Sequence, residues 1–263
     1  MNEDMTASGV AFNPTLQAQY DNPALVPDHP QIIAGWARDA AAYRLAAGAR
    51  LDVPYGASPR ERYDWFGADD APIAVFIHGG YWQKLDKSFF SHCAAGLNAH
   101  GVAVAILGYE LCPHVTLRQI VLQMRAACAA LPRRPALAFG HSAGGHLSAM
   151  LLASGDVDAA MPISGVFDVT PLRRTRIGDA LALREDEARA LSPMFLPRPK
   201  GRMHAVVGGA ESDAFRAQTR EMAARWDATR EAVPGANHFT VLAPLSDPVS
   251  SLVRQALSLL SPV

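Results

Sequence analysis

A single α/β domain, with a mostly parallel central sheet and helices on both faces, is the fold class this sequence predicts. Three observations carry the prediction. Short apolar runs alternate with segments of helical period. Two of those runs close in glycine-containing motifs, His78-Gly79-Gly80-Tyr81-Trp82 and Gly140-His141-Ser142-Ala143-Gly144. The chain of 263 residues, 49% hydrophobic and 19% charged, is long enough to bury one large core.

Residues 1–10 are acidic and polar and lack the apolar centre of a secretory leader, and no later stretch reaches the roughly 18 unbroken apolar residues of a membrane span. A cytoplasmic protein with no membrane partner is expected. Strands are predicted at 73–77, 102–107, 136–139, 157–163 and 204–207. Thr116 and Gln119 form a capping box for a helix whose stripe is Leu117, Ile120, Val121, Met124 and Cys128, stopping near Pro132. Residues 168–200 break the alternation with Pro171, the basic cluster Arg173, Arg174 and Arg176, a short helical run, and Pro193, Pro197 and Pro199. This stretch is expected to be a small cap or lid inserted in the domain. The last helix is expected to take Asp247 as N-cap and Pro248 in its first turn, and to present Val249, Leu252, Val253, Ala256, Leu257 and Leu260 to the sheet.

A net charge of −1 gives no electrostatic reason to expect nucleic acid or an anionic membrane as partner. A small-molecule substrate is the expected partner, and a homodimer the expected assembly. Cys93, Cys112 and Cys128 are odd in number and lack metal-ligand spacing, so reduced, buried thiols are expected.

The G-x-S-x-G pattern marks an elbow where glycines let a strand turn so sharply into a helix that a serine hydroxyl stands exposed. By chance the pattern arises in about one chain in ten of this size. Its place between the apolar run 136–139 and the helix-compatible run 145–152 makes Ser142 the candidate nucleophile. A serine hydroxyl is weak at neutral pH, so a histidine must take its proton and a carboxylate must fix that histidine's tautomer. The chain order is then serine, acid, histidine. His204 begins a strand, whereas His238 lies in the turn-rich loop Pro234-Gly235-Ala236-Asn237-His238-Phe239 and is the candidate base.

Two carboxylates follow the run 204–207. Glu211 comes directly off the strand end and is the preferred acid. Asp213 is the alternative, although its place after Ser212 also suits the first turn of the next helix. Ala143 and the Gly79-Gly80 turn are the candidate oxyanion donors, since glycine brings backbone to a substrate without a Cβ in the way. Tyr81 and Trp82 either line the substrate pocket or pack their loop on the sheet. His141 is a further candidate for substrate contact, with a strained elbow position as its plainer explanation. His146 reads as a helix position and His78 as a residue ordering its own loop. No metal and no organic cofactor are expected.

On these residues the sequence resembles the kynurenine formamidases (arylformamidases) and their bacterial esterase relatives, which are α/β-hydrolases. The matching pieces are Tyr20-Asp21-Asn22, Val26-Pro27-Asp28, Ile77-His78-Gly79-Gly80-Tyr81-Trp82-Gln83 and Gly140-His141-Ser142-Ala143-Gly144-Gly145-His146-Leu147. Further on come Ser164-Gly165-Val166-Phe167-Asp168, Leu191-Ser192-Pro193, Gly208-Gly209-Ala210-Glu211-Ser212 and Asn237-His238-Phe239. The resemblance spans nearly the whole chain, and the loop continuing into Tyr81-Trp82-Gln83 is more specific than the elbow. It implies the α/β-hydrolase fold and hydrolysis of an N-formyl aryl amide, typically N-formyl-L-kynurenine to L-kynurenine and formate in tryptophan breakdown. With that substrate the candidate residues Ser142, His238 and Glu211 are expected to act as a triad through a formyl-enzyme, and in the family the resemblance points to, aspartate is the acid in many members. The cluster Arg173, Arg174 and Arg176 matches no family signature, and contact with a substrate carboxylate is its open role. A broad carboxylesterase is the nearer alternative and a non-catalytic ligand-binding protein the more distant one.

Overall fold

Along a strand, alternate side chains face opposite sides, so a strand covered on both faces must be apolar at every position. The runs that satisfy this rule form the centre of the sheet. In the computed structural model, which describes residues 5–261, the strands are β1 (Arg50–Pro54), β2 (Arg62–Phe66), β3 (Ile73–Ile77), β4 (Ala103–Leu107), β5 (Leu137–His141), β6 (Ala159–Ile163), β7 (Arg202–Gly208) and β8 (Thr229–Val233). Residues 1–4, within the stretch read above for a leader, lie outside the described residues. The order across the sheet is β1-β2-β4-β3-β5-β6-β7-β8. β2 is antiparallel to β1 and β4, and the remaining pairs are parallel.

Helices cover both faces: α1 (Pro14–Tyr20), α2 (Asn22–Leu25), α3 (His29–Ala46), α4 (Ala95–Asn98), α5 (Leu117–Ala130), α6 (Ala143–Ser154), α7 (Glu185–Ala190), α8 (Asp213–Trp226) and α9 (Ser251–Leu260). The alternation along β3 divides the core. Ile73, Val75 and Ile77 pack with α5, α6 and α8, while Ala74 and Phe76 join the layer under α3 and α9. The capping box of α5 forms as the sequence indicates, and the helix ends at Ala130, just ahead of Pro132. No helix among the described residues is long and apolar enough to cross a membrane. Cys93, Cys112 and Cys128 are free and buried.

The five predicted strands occur, with ends displaced by up to two residues. The others differ from the rule that found those five. β1 is mostly exposed, with an irregular register against β2. β2 carries a buried charge: Asp64 accepts from Lys87 Nζ at 2.6 Å, and Asp52 does so at 2.7 Å. β8 is an edge strand with an exposed alternation. The last helix is a correction. Its N-cap is Ser250, which accepts from Val253 N at 3.2 Å, whereas Asp247 accepts from Val249 N and closes a turn before the helix. Val249 is consequently exposed and outside the stripe. Residues 168–200 fold as short turns around α7, and Leu172, Leu181, Leu183 and Leu191 enter the first core layer.

One contact sets the exit angle of α6. β3 and β5 are neighbours with Ile77 opposite Gly140. A Cβ on Gly144 would lie 1.9 Å from the Ile77 carbonyl oxygen, and one on Gly140 would lie 2.4 Å from the Gly144 oxygen. Both obstacles are backbone, which a rotamer change cannot relieve. Gly144→Ala should therefore cost at least about 3 kcal/mol or prevent folding, measured as the urea midpoint of the purified variant. A midpoint equal to wild type would show that α6 can lift from β3.

Candidate active site

At the carboxyl end of β5 the chain reverses through Ser142, whose φ of 55° and ψ of −113° lie where a residue with a Cβ is strained. Backbone bonds hold it there: Ser142 N donates to Ile163 O at 2.8 Å, and Ser142 O accepts from His146 N at 3.0 Å. Gly79 passes directly beside it, since a Cβ on Gly79 would lie 3.1 Å from Ser142 Cβ. Among the described residues, the N–H groups of Gly79, Gly80 and Ala143 donate to no other group.

Glu211 and His238 arrive from the ends of β7 and β8. His238 Nδ1 donates to Glu211 Oε2 at 2.7 Å, and the carboxylate is fully buried. Its other oxygen accepts from Gly208 N at 2.6 Å and Ser164 Oγ at 2.5 Å, so three donors replace the water that burial removed. Phe215 packs on the imidazole with ring centroids 4.6 Å apart. Asp213 lies outside this cluster, 83% exposed and paired with Arg216 at 2.5 Å. His204 lies on β7 and bonds Thr229 Oγ1 at 2.8 Å.

Ser142 and His238 share a cavity of about 420 Å³. Among the described residues no hydrogen bond joins them, as is common before substrate draws catalytic groups together. Tyr81 lines this cavity and Trp82 does not. Both have positive φ, 53° and 58°, and the reversal sends Trp82 into the core edge-on to His146, at 5.0 Å. Tyr81 OH donates to Tyr20 O at 2.6 Å and accepts from Asn22 Nδ2 at 3.3 Å. Of the basic cluster only Arg176 reaches the cavity; Arg173 pairs with Glu185 and Arg174 bonds Ala11 O. A larger depression of about 740 Å³ lies at the opposite, amino ends of β5 to β7. Ligands of open parallel sheets sit at the carboxyl ends, where Ser142 is.

Much of the cavity wall comes from residues for which no role was read beyond the resemblance. Gln17, Tyr20, Asp21, His29, Ile33 and Trp36, all from α1 to α3 and their joints, line it. Hydrogen bonds tie the residues leading into α1 to the stretch 168–200, from Asn13 N to Arg174 O at 2.8 Å and from Thr6 Oγ1 to Arg173 O at 2.7 Å. A signal was present: Asn13-Pro14, Asp21-Asn22-Pro23 and Asp28-His29-Pro30 each place an N-cap type just ahead of a proline in a first helical turn. Ser164 was also missed as a partner of Glu211, because nothing local marks a serine after a strand as a carboxylate donor.

A kynurenine formamidase from Salmo salar is 29% identical over 233 residues, covering 78% of this chain and 79% of its own, and one from Danio rerio is 28% identical over 238 residues, covering 80% and 81%. A solved structure from Silicibacter, provisionally assigned as a thioesterase, matches with a TM-score of 0.88 and 35% identity over 92% of this chain and 98% of its own. The chain is a hydrolase of the α/β-hydrolase fold, similar over most of its length to the kynurenine formamidases. Esterase B of Lactobacillus rhamnosis, at 19% identity and a TM-score of 0.67 over 91% of this chain and 96% of its own, shares the fold. No family model matches the chain.

Around its site the hydrolase buries three histidines that stay neutral. Burial lowers His141 well below the ordinary histidine value, takes His146 down to about 4, and lowers His78. Each spends one ring N–H on a carbonyl: His146 on Leu191 O, His141 on His238 O and His78 on Gly79 O, all at 2.7 Å. The unfolded chain binds these protons near pH 6.5, so their contribution to stability is complete above that value and is lost as pH falls toward 4. For His146 alone the loss is on the order of 3 kcal/mol. Urea midpoints should thus fall steeply between pH 7 and pH 4.5, and a flat profile would mean these rings accept protons in the native state.

Proposed function

We propose that this hydrolase cleaves N-formyl aryl amides, N-formyl-L-kynurenine foremost, with Ser142 as nucleophile, His238 as general base and acid, and Glu211 as the carboxylate that orients it. The reading rests on a strained serine opening onto the same cavity as an imidazole whose far nitrogen is held by a buried carboxylate. Names of the relatives supply the substrate, and the cavity suits it. Trp36, Tyr81 and Phe239 offer aromatic walls, while Asp21 and Lys84 among the lining residues complement the ammonium and carboxylate of an amino acid.

In this mechanism Ser142 Oγ attacks the formyl carbon as His238 Nε2 takes its proton. The oxyanion is held by Ala143 N–H and an amide of the Gly79-Gly80 turn, each donor worth about 3 kcal/mol of barrier. The C–N bond then breaks, and the proton passes from His238 to the aniline nitrogen as the aryl amine leaves. Water, deprotonated by His238, attacks the formyl ester, and Ser142 regains its proton as formate departs.

Turnover of N-formyl-L-kynurenine, read as release of L-kynurenine and formate, is the direct test. A second reading, a broad esterase or thioesterase, is favoured by the 35% identical Silicibacter structure. A kcat/KM for p-nitrophenyl acetate higher by several orders would favour that reading. Ser142→Ala should lower kcat by roughly 10⁴-fold or more with the urea midpoint unchanged. Glu211→Gln should lose roughly 10²- to 10⁴-fold and Asp213→Asn almost nothing; a larger loss at residue 213 would remove Glu211 from its role.

A further inference from the structure

His141 ends β5 one residue before the candidate nucleophile, and its side chain joins three parts of the site. Its Nε2–H donates to the main-chain oxygen of His238 at 2.7 Å. Its ring stands 4.8 Å from the His238 ring, with Trp36 edge-on to it at 6.0 Å. Its Nδ1 is buried without a partner, and a Cβ on Gly79 would come within 2.9 Å of it. Neither nitrogen is therefore offered to a substrate: one is spent and the other is closed off by the oxyanion loop.

We infer that His141 is a positioning residue, whose N–H ties the main chain of His238 to the nucleophile elbow and so fixes the base over Ser142. This rests on the triad proposed above. The covalent path from Ser142 back to His141 and the hydrogen bond on to His238 tie the loop of His238 to the elbow through one side chain, and Glu211 orients the imidazole from its other side. A neutral ring suits the task. It has a single N–H to give, and it adds no positive charge beside the imidazolium that His238 becomes. A leucine of similar volume would leave the residue 238 carbonyl without its donor and free that loop to drift.

The test compares His141→Leu, which has no donor, with His141→Gln, whose amide N–H reaches the same carbonyl. Readouts are the labelling rate with a fluorophosphonate, kcat/KM against pH for p-nitrophenyl acetate, and the urea midpoint. His141→Leu should label about 100-fold more slowly than wild type, its kcat falling more than KM changes, and His141→Gln should recover to within about tenfold. The acid limb of the Gln variant should coincide with that of wild type, because residue 238 takes the proton. Wild-type labelling by His141→Leu would overturn the inference, as would equal losses in both variants or a displaced acid limb in His141→Gln. If the Leu variant lacks a urea transition, His141→Asn replaces it; its shorter amide does not reach the carbonyl, so it must show the loss that Gln repairs. A wild type that resists the probe, or a Ser142→Ala variant that still reacts, would bring down the triad and this inference together, a result distinct from the others.

Discussion

The close seating of α6 on the end of β3, with Gly144 against the Ile77 carbonyl, is the constraint from which the site follows. It aims the first turn of α6 at the loop leaving β3, and so brings the Ala143 amide and the Gly79-Gly80 turn to one place. Two loops distant in sequence thereby meet around one serine. Had either glycine carried a methyl group, the helix would lie farther from the strand and the two sets of amides would separate.

Polar groups around the site are arranged by the same economy of space. Glu211 is fully buried and tolerates it because Ser164, Gly208 and His238 each give it a hydrogen bond. The neighbouring histidines are buried too, and they remain neutral and donate to main-chain oxygens. Among these buried groups charge is thus kept to the Glu211 carboxylate, in surroundings of low polarity that strengthen the hydrogen bonds it accepts.

The central strands were legible because burial on both faces demands unbroken apolar runs, and the elbow because its glycines are forced by backbone contacts. The pairing of Glu211 with His238 was legible from chain order and loop position. β1 and β2 were not, since Asp64 within β2 is tolerated only through a distant partner, Lys87, that no local pattern announces. The divergence of Tyr81 and Trp82 was undecidable from sequence, because consecutive positive φ angles reverse the directions that spacing implies. The start of α9 was misplaced for a local reason: Asp247 and Ser250 are both good caps, and the former closed a turn instead.

The roof of the cavity has a consequence for how the chain acquires its site. Tyr20 OH accepts from Gln218 Nε2 at 2.7 Å, Gln19 Oε1 accepts from Ala214 N at 3.2 Å, and Asn13 N reaches Arg174 O. Residues 13–20 therefore wait for partners made some 160 to 200 positions later. Such long-range closures are slow. During synthesis the Tyr20–Tyr81 bond can form before those partners exist, but the seat beneath α1 cannot. Closure of this roof is thus deferred until α8 has been translated, after Ser142 and the Gly79-Gly80 turn are already in the nascent chain.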